Sequence, residues 1–269
     1  MLRFLFKNKL ETTSNQPVSK SIIVDTHEIE PLYAYIEQYS GIALQKSKVL
    51  VQNHIIILCE RNNISSFGEL LRKIKQDEIL FKTLVDSVTI HETYFFREKG
   101  QLEEALTQHK NSPALSILSA PCSSGEEAFS IAILALEMGI TNFQVVGIDI
   151  SGSIIQKAKN SSYTKRSIKF LPKALLEKYF TNSNDTYIVK KELYKYVTFL
   201  QCNLFDDKIY QIGMFDIIFS RNMFIYFNDE KKIQAYKRLE SLKKNLDASI
   251  YLGHADISSK LSQYIRNRN

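Results

Sequence analysis

The stretch Leu115-Ser116-Ile117-Leu118-Ser119-Ala120-Pro121-Cys122-Ser123-Ser124-Gly125-Glu126-Glu127 gives the clearest indication of how this chain folds. Residues 115–120 predict a buried strand, and a strongly periodic helix is predicted from Glu126 to Met138. The small residues between them let a ligand approach the backbone where a helix begins. Neither the G-x-G-x-x-G pattern of dinucleotide sites nor the G-K-[ST] pattern of phosphate loops is present. The unit therefore favours a ligand that is not recognised through phosphate.

Strands and helices continue to alternate after this unit. Further strands are predicted at Phe143–Asp149, Val197–Leu200, Phe215–Phe219 and Ser249–Gly253, and further helices at Ser153–Lys159 and Asp229–Leu246. This alternation predicts an α/β fold with a doubly wound, mostly parallel sheet, which binds ligands outside the carboxyl ends of its strands. A helix near Pro172–Phe180 and a short strand at Tyr187–Val189 interrupt it, which indicates a small β insertion at about residues 163–196.

The chain before residue 89 has a helical pattern instead. We expect residues 1–20 to be a disordered lead-in and residues 21–88 to form a small all-helical domain, followed by the α/β domain at residues 89–269. Thr26 is a candidate helix N-cap, and Gly41 lies where a C-terminal cap is expected. The run Ser66-Phe67-Gly68-Glu69 is a capping-box pattern that opens another helix.

Composition and charge exclude several classes of protein. The 269 residues are 44% apolar and 24% charged, which is ordinary for a globular protein. The net charge is +6, but the lysines are interleaved with acids, so charge alone does not select a partner. The three cysteines are widely spaced and predict neither a disulfide framework nor a metal site. No signal peptide or membrane span is recognisable, so we expect a cytoplasmic protein without membrane insertion.

An acidic residue ends the second predicted strand. Asp149 follows the small-residue loop at the distance at which such a carboxylate commonly accepts hydrogen bonds from a ribose. It could instead cap the next helix, and Glu126 and Glu127 could simply complement a helix dipole. Taken together, the loop and Asp149 describe a nucleoside site without phosphate recognition. S-adenosylmethionine, with a ribose, an adenine and a cationic sulfonium, has that character.

The run Thr89-Ile90-His91-Glu92-Thr93-Tyr94-Phe95-Phe96-Arg97-Glu98 precedes the first strand. Three aromatic residues beside an arginine suit a site that stacks a flat ring and steers a carboxylate. An equally weighted alternative is a helix whose Phe95 and Phe96 are core residues and whose Arg97 is solvated.

Polar residues also end the third and fourth predicted strands. The side-chain amide of Asn203, next to Leu204, can read an adenine edge. The run Ser220-Arg221-Asn222-Met223-Phe224-Ile225-Tyr226-Phe227 places an arginine, an amide and aromatics at the opening of the sheet. Tyr226 can donate a hydrogen bond to a substrate oxygen, or it is a buried tyrosine with a satisfied hydroxyl.

These motifs resemble those of the CheR family of chemotaxis receptor glutamate methyltransferases. The matching runs are His91–Glu98, Ser119–Ser130, Val146–Ile150, Val197–Leu204, Phe215–Phe227 and Leu252-Gly253-His254. The resemblance covers roughly residues 25–256 and implies a class I S-adenosylmethionine methyltransferase fold. It further implies methyl transfer from S-adenosylmethionine to glutamate side chains on the cytoplasmic helices of methyl-accepting chemoreceptors, with neither nucleic acid nor a metal involved.

The resemblance also implies roles for individual residues. The cofactor site would be lined by His91, Thr93, Arg97, Glu127, Asp149, Asn203, Leu204, Arg221 and Asn222. Asp149 would hold the ribose hydroxyls, whereas Arg97 and Tyr226 would face the reacting carboxylate as the catalytic pair. A glutamate is already ionised at neutral pH, so positioning and desolvation replace general-base catalysis.

The chain departs from the family pattern in four places. His91 stands where the family usually has asparagine, Pro121 replaces a small residue, and Asp256 falls where glutamate is common. If His91 becomes charged in acid, it repels a sulfonium, so we expect cofactor affinity to fall between about pH 8 and about pH 6. The turn at residues 181–186 is short and lacks glycine, which favours a member that does not grip a receptor-tail peptide.

Two other functions compete with this interpretation. One is a methyltransferase of the same fold that acts on a small acid or a nucleic acid, although the Asn/Asp-Pro-Pro-Tyr/Phe motif of base methylation is absent. The other is a non-catalytic receptor-docking adaptor, which only His91 and Pro121 support and which Arg97, Asp149 and Tyr226 disfavour.

Overall fold

The computed structural model describes residues 29–44, 48–89 and 91–268. The predicted lead-in at residues 1–20 and the predicted cap at Thr26 lie outside these residues. Four helices form the first part: α1 (Ile29–Ser40), α2 (Lys48–Arg61), α3 (Phe67–Ile74) and α4 (Glu78–Val88). Their apolar faces meet in one buried cluster, so the helical pattern before residue 89 is confirmed wherever the structure describes it.

The predicted C-terminal cap at Gly41 and the predicted capping box at Ser66 are both confirmed, although one hydrogen bond of the capping box differs from the expected pattern. Gly41 follows α1 with a φ of 77°, and its N–H donates to the carbonyl of Glu37 at 2.8 Å. The Ser66 hydroxyl accepts the Glu69 N–H at 3.1 Å, as in a capping box. The Glu69 carboxylate, however, accepts the N–H of Ser65 rather than that of Ser66, at 2.8 Å. The reciprocal bond is therefore displaced by one residue towards the N-terminus.

The second part is built on a five-stranded sheet. Its strands are β1 (Leu115–Ser119), β2 (Phe143–Asp149), β6 (Val197–Gln201), β7 (Ile217–Ser220) and β8 (Ser249–Leu252), in the order β6-β2-β1-β7-β8, and every pair is parallel. Along β1, Ile117 and Leu118 belong to two different buried clusters, because successive side chains of a strand point to opposite faces. Both faces are covered, as the predicted doubly wound fold requires.

Helices α5 (Lys99–Gln108), α6 (Glu126–Glu137), α7 (Gly152–Asn160), α9 (Asp229–Glu240) and α10 (Ser259–Arg266) accompany this sheet. The sequence prediction did not include α5, although Leu102, Ala105 and Leu106 have helical spacing and are buried. No helix in the described ranges is both long enough and apolar enough to span a membrane.

Residues 162–189 form a second, antiparallel sheet. Strand β3 (Ser162–Thr164) pairs with β5 (Thr186–Val189), which pairs with β4 (Phe180–Ser183), and α8 (Lys173–Tyr179) precedes β4. Asn184 and Asp185 turn the β4–β5 hairpin with φ values of 48° and 63°, as expected for a two-residue hairpin turn. Whether this short hairpin dispenses with a receptor tail stays a prediction.

The helix predicted at Asp229–Leu246 is too long. α9 ends at Glu240 because the backbone that follows pairs with Phe215 instead of continuing the helix. The Phe215 N–H donates to Leu242 O at 2.8 Å, and the Lys244 N–H donates to Phe215 O at 2.9 Å. Leu246, which the prediction placed inside the helix, is 97% exposed.

Candidate active site

A cavity of about 360 Å³ lies beyond the carboxyl ends of β1, β2 and β7, where the strand order reverses. Its volume is within the range of roughly 300–1,000 Å³ typical of small-molecule sites. All the predicted site residues contribute to its lining: His91, Thr93, Arg97, Glu127, Asp149, Asn203, Leu204, Arg221, Asn222 and Tyr226. Their individual roles remain predictions, but the fold brings them together.

The helical region supplies a wall that the sequence did not predict. Ser40, the last residue of α1, and Ile42, Ala43 and Leu44, from the segment that follows α1, line the same cavity. The Ala43 N–H donates to the carbonyl of Tyr226 at 2.8 Å. Nothing in the local sequence indicates this contact, because it depends on packing between segments far apart in the chain.

Asp149 is buried at the end of β2, and both of its carboxylate oxygens face fixed N–H groups. Oδ2 accepts from Ser123 and Oδ1 from Ser151, each at 3.0 Å. Burial raises the pKa of Asp149, and these bonds and the nearby His91 oppose that rise. Each oxygen keeps a further lone pair for a ribose hydroxyl. Ser151, whose hydroxyl accepts the Ile154 N–H, is the residue that caps α7, so the alternative role of Asp149 as the cap is wrong.

His91 lies close to Asp149 inside the cavity. Its Nε2 is 2.8 Å from the Thr89 hydroxyl. Burial lowers the pKa of His91 below its ordinary value of 6.5, although the charges of Asp149 and Asp86 act in the opposite direction. The lowered pKa favours the neutral imidazole, which is compatible with a cationic ligand.

The two glutamates that open α6 have different partners. Glu126 is buried away from the cavity, accepts hydroxyls of Ser124 at 2.6 Å and Ser167 at 3.0 Å, and has a pKa raised by burial. Glu127 faces the cavity and accepts the Ser119 hydroxyl at 2.8 Å. Neither glutamate serves only to complement the helix dipole.

Arg221 ties the end of β7 to the segment that carries Arg97. Its side chain is 1% exposed, and its Nε donates to Glu127 Oε2 at 2.7 Å. Nη1 and Nη2 donate to the carbonyls of Glu98 and Arg97, at 3.2 and 2.8 Å. Because these donors are engaged by the protein, Arg221 positions Glu127 and the backbone of Arg97.

Arg97 has a different environment from Arg221. It is partly exposed in the cavity lining, and its Nη1 donates to the carbonyl of Glu92 at 2.6 Å. No carboxylate oxygen of the described residues lies within 4.0 Å of its guanidinium. Half-buried Tyr226 is near enough for the charge of Arg97 to oppose the rise that burial causes in the tyrosine pKa. A cation and a hydroxyl thus share one part of the cavity.

The expectation that the three neighbouring aromatics stack a ligand ring is wrong. Phe95 is fully buried and packs edge-on against Tyr163 and Phe180, with centroids 4.8 and 5.1 Å away. Phe96 is also buried, and Tyr94 faces Phe170 instead of the cavity. The alternative of core phenylalanines is correct for Phe95 and Phe96, but the segment is a turn rather than a helix.

Asn203 connects the sheet to the helical region. Its Nδ2 donates to the carbonyl of Tyr39 at 2.8 Å, and its Oδ1 accepts the Phe205 N–H at 3.0 Å. The amide orientation is thereby fixed, with one donor and one lone pair remaining on the side chain. Its predicted contact with adenine stays a prediction that depends on these remaining positions.

Asp256 is a site residue that the sequence showed only as a departure from the family. It is fully buried, and its Oδ2 accepts the N–H groups of Asn222 at 2.6 Å and Gly253 at 2.9 Å. Its Oδ1 accepts the Ile225 N–H at 3.1 Å. Burial raises the pKa of this carboxyl, and the same N–H groups oppose the rise. Asp256 therefore fixes the segment that carries Asn222 and Tyr226.

This parallel sheet, with a buried acid that can hold a ribose and a cavity without a phosphate loop, defines an S-adenosylmethionine-dependent methyltransferase. Residues 91–269 match the family described as CheR methyltransferase, SAM binding domain. The chain belongs to the CheR family.

Two sequence relatives support this assignment over most of their length. The chain is 37% identical to the chemotaxis protein methyltransferase of Campylobacter jejuni, over 89% of this chain and 92% of that protein. It is 32% identical to chemotaxis protein methyltransferase 2 of Vibrio cholerae, over 85% of this chain and 84% of that protein. A solved O-methyltransferase family protein from Burkholderia thailandensis has a TM-score of 0.38 and 12% identity, over 69% of this chain and 47% of that chain.

Proposed function

We propose that this methyltransferase esterifies glutamate side chains on the cytoplasmic helices of methyl-accepting chemotaxis receptors, and that it works in the cytoplasm. The observation that carries the proposal is Arg97. It is a cation without a described carboxylate partner, and it lies beside Tyr226 in the cofactor cavity. A substrate carboxylate is the complementary group, because arginine presents donors in the fork that a carboxylate matches.

The described residues support a reaction without a general base. A glutamate has an ordinary pKa of about 4.3 and reaches the cavity as an anion. S-adenosylmethionine supplies a methyl group already activated by the sulfonium. Burial raises the pKa of the Cys122 thiol, so this cavity residue is not an ionised competitor for the methyl group. The protein then has to orient the carboxylate and exclude water.

We assign the cofactor contacts as follows. Asp149 holds the ribose hydroxyls, and Asn203 and Leu204 border the adenine. His91, Thr93, Glu127 and Asn222 complete the lining, whereas Arg221 acts through Glu127 and the backbone of Arg97. Support comes from their shared cavity and from the fixed N–H partners of Asp149.

Two measurements test the proposal. Isothermal titration with S-adenosylhomocysteine should show saturable binding that is lost in Asp149→Ala. Incubation with methyl-labelled S-adenosylmethionine and a receptor cytoplasmic fragment should give base-labile methyl esters on glutamate. Cofactor binding without label on the receptor would point to another substrate, and an absence of cofactor binding would favour the docking adaptor.

A further inference from the structure

An aromatic pair with one exposed ring lies beside Arg97, a residue of the cavity lining. Phe170 is 57% exposed, and its ring centroid is 5.2 Å from that of Tyr94. Tyr94 lies in the same turn as Arg97, whose guanidinium carbon is 5.8 Å from the centre of the Tyr94 ring. The aromatic pair is thus continuous with the cation that lines the cavity. We name Tyr94, Arg97, Arg166, Lys169 and Phe170 the mouth surface.

The mouth surface carries positive charge that the protein leaves unmatched. The Lys169 ammonium lies 4.4 Å from the Tyr94 ring centre and 4.8 Å from that of Phe170. In the described ranges, no carboxylate oxygen lies within 4.0 Å of the Lys169 ammonium or the Arg97 guanidinium. Arg166 has only an exposed pairing with Glu92, at 3.4 Å, and such pairs contribute little. Arg97 and Lys169 are therefore available to an acidic partner, and Arg166 would exchange its exposed pairing with Glu92 for a new one.

Buried contacts fix the two segments of the mouth surface relative to each other: the turn that carries Tyr94 and Arg97, and the loop that carries Arg166, Lys169 and Phe170. The Phe95 N–H donates to the carbonyl of Ser167 at 2.8 Å, which joins the turn of Tyr94 to the loop of Lys169. The Ser167 hydroxyl donates to buried Glu126 at 3.0 Å. The loop is thereby fixed to the start of α6, the helix that also carries Glu127. A pre-formed surface binds a partner with less loss of conformational entropy.

The mouth surface offers a partner two kinds of contact, cations and aromatic rings. The Arg97 guanidinium carbon lies 5.8 Å from the Tyr94 ring centre, and the ring centres of Tyr94 and Phe170 are 5.2 Å apart, so the three groups are neighbours. Side chains three or four residues apart on one helix face can contact these groups in succession. Acidic side chains would meet Lys169 and Arg166, and an apolar side chain would cover the exposed rings.

We propose that the mouth surface binds the acidic, amphipathic helix that carries the target glutamate, with that glutamate placed at Arg97. The inference deepens the proposed function and rests on it. Cationic and aromatic side chains also suit single-stranded nucleic acid. The helix is favoured because the surface leads to a cavity in which Arg97 is available for a carboxylate.

The test compares Lys169→Glu and Phe170→Ala with Lys110→Glu. Lys110 is also exposed, but it precedes the amino end of β1, whereas the cavity lies beyond the carboxyl ends of the strands. Label transfer is measured against the concentration of a receptor cytoplasmic fragment, and titration with S-adenosylhomocysteine reports whether the cofactor site is intact.

For Lys169→Glu we expect the KM for the receptor fragment to rise about tenfold, because the substitution places a like charge opposite an acidic partner. Phe170→Ala should raise it less, and Lys110→Glu should match the unmodified protein. Wild-type KM values in both mouth variants, or loss of their S-adenosylhomocysteine binding, would overturn the proposal. Label on an oligonucleotide instead, lost in Lys169→Glu, would also overturn it. An unmodified protein that binds cofactor but leaves the receptor unlabelled refutes the proposed function itself.

Discussion

The two arginines of the cavity show how one residue type takes two roles. Arg221 is buried, and its donors are engaged by Glu127 and two carbonyls, so removing it would release three protein groups at once. Arg97 keeps its guanidinium beside Tyr226 without a described carboxylate partner. Sequence alone assigns both to the cofactor site. Burial and partners distinguish the positioning residue from the one that can meet a substrate.

Replacing Tyr226 by phenylalanine tests the catalytic pair with the smallest change of shape. We expect kcat to fall about tenfold, because a hydrogen bond to a charged oxygen contributes about 1.5 kcal/mol. The affinity for S-adenosylhomocysteine should stay within about twofold, since the Tyr226 backbone contact with Ala43 is unaffected. Steady-state methylation of a receptor fragment gives kcat, and an unchanged value would remove Tyr226 from the mechanism.

The pH dependence of cofactor binding tests His91. Burial lowers the pKa of His91 from its ordinary value of 6.5, so the imidazole gains its proton at a more acidic pH than a free histidine. The added charge repels the sulfonium of S-adenosylmethionine but not the neutral sulfur of S-adenosylhomocysteine. The fall predicted from sequence therefore moves to more acidic pH.

We expect the ratio of the two Kd values, S-adenosylmethionine over S-adenosylhomocysteine, to rise as the pH falls from about 8 to about 5. Protonation of Asp149 removes an attractive charge and also weakens binding of the sulfonium, so the contribution of His91 is the part of the rise that disappears in His91→Asn. A flat ratio in the unmodified protein would show that His91 does not act on the sulfonium.

At the scale of elements, Asp256, which follows β8, anchors the segment that follows β7. Asp256 accepts the N–H groups of Asn222, Gly253 and Ile225, and the carbonyl of Asp256 accepts the ammonium of buried Lys232 at 3.1 Å. Asn222 has a φ of 59°, an uncommon conformation for a residue other than glycine. Loops that carry functional groups need such anchors, because their own backbone lacks a regular hydrogen-bond ladder.

Asp256→Ala should lower the free energy of unfolding by about 3 kcal/mol, because each buried N–H left without an acceptor costs about 1–3 kcal/mol. Urea denaturation measures the change, and Asp247→Ala, at an exposed aspartate, is the control. Asp256→Glu should recover part of the loss, since it keeps the carboxylate. Equal stability of Asp256→Ala and the control would show that the anchor is dispensable.

At the scale of the whole molecule, the helical region closes one side of the cofactor cavity. The Asn203 side chain donates to the carbonyl of Tyr39, and the Ala43 N–H donates to the carbonyl of Tyr226. The Asn228 side chain donates to the Glu37 carboxylate at 3.0 Å. These contacts converge around Gly41, where the chain leaves α1. A Cβ atom added at Gly41 would lie 2.4 Å from the Phe205 ring. Close approach of the two regions therefore depends on this glycine.

Gly41→Ala should weaken S-adenosylhomocysteine binding, because it forces Phe205, a cavity residue, away from α1. Gly139→Ala is a matched control, since Gly139 has nearly the same φ, 78° against 77°, and open space around it. The left-handed backbone should cost both variants about 1–2 kcal/mol of stability, and Gly41→Ala should lose more because Phe205 also has to move. Titration with S-adenosylhomocysteine distinguishes the two variants. Equal affinity in both would show that the close approach of Gly41 to Phe205 is not needed for cofactor binding.

The sequence by itself determined the alternation of strands and helices and the helical region before it, because hydrophobic periodicity is a local property. Capping patterns at Gly41 and Ser66 are local in the same sense. The ten predicted residues that share the cavity were named through the resemblance of their motifs to the CheR family.

Only the tertiary structure decided which of those residues are free to act. The early end of α9 depends on pairing with Phe215, and the burial of Phe95 depends on Tyr163 and Phe180. The anchoring role of Asp256 and the wall formed by Ile42–Leu44 join segments far apart in the chain. Burial and hydrogen-bond satisfaction are properties of the packed molecule, so local sequence does not reveal them.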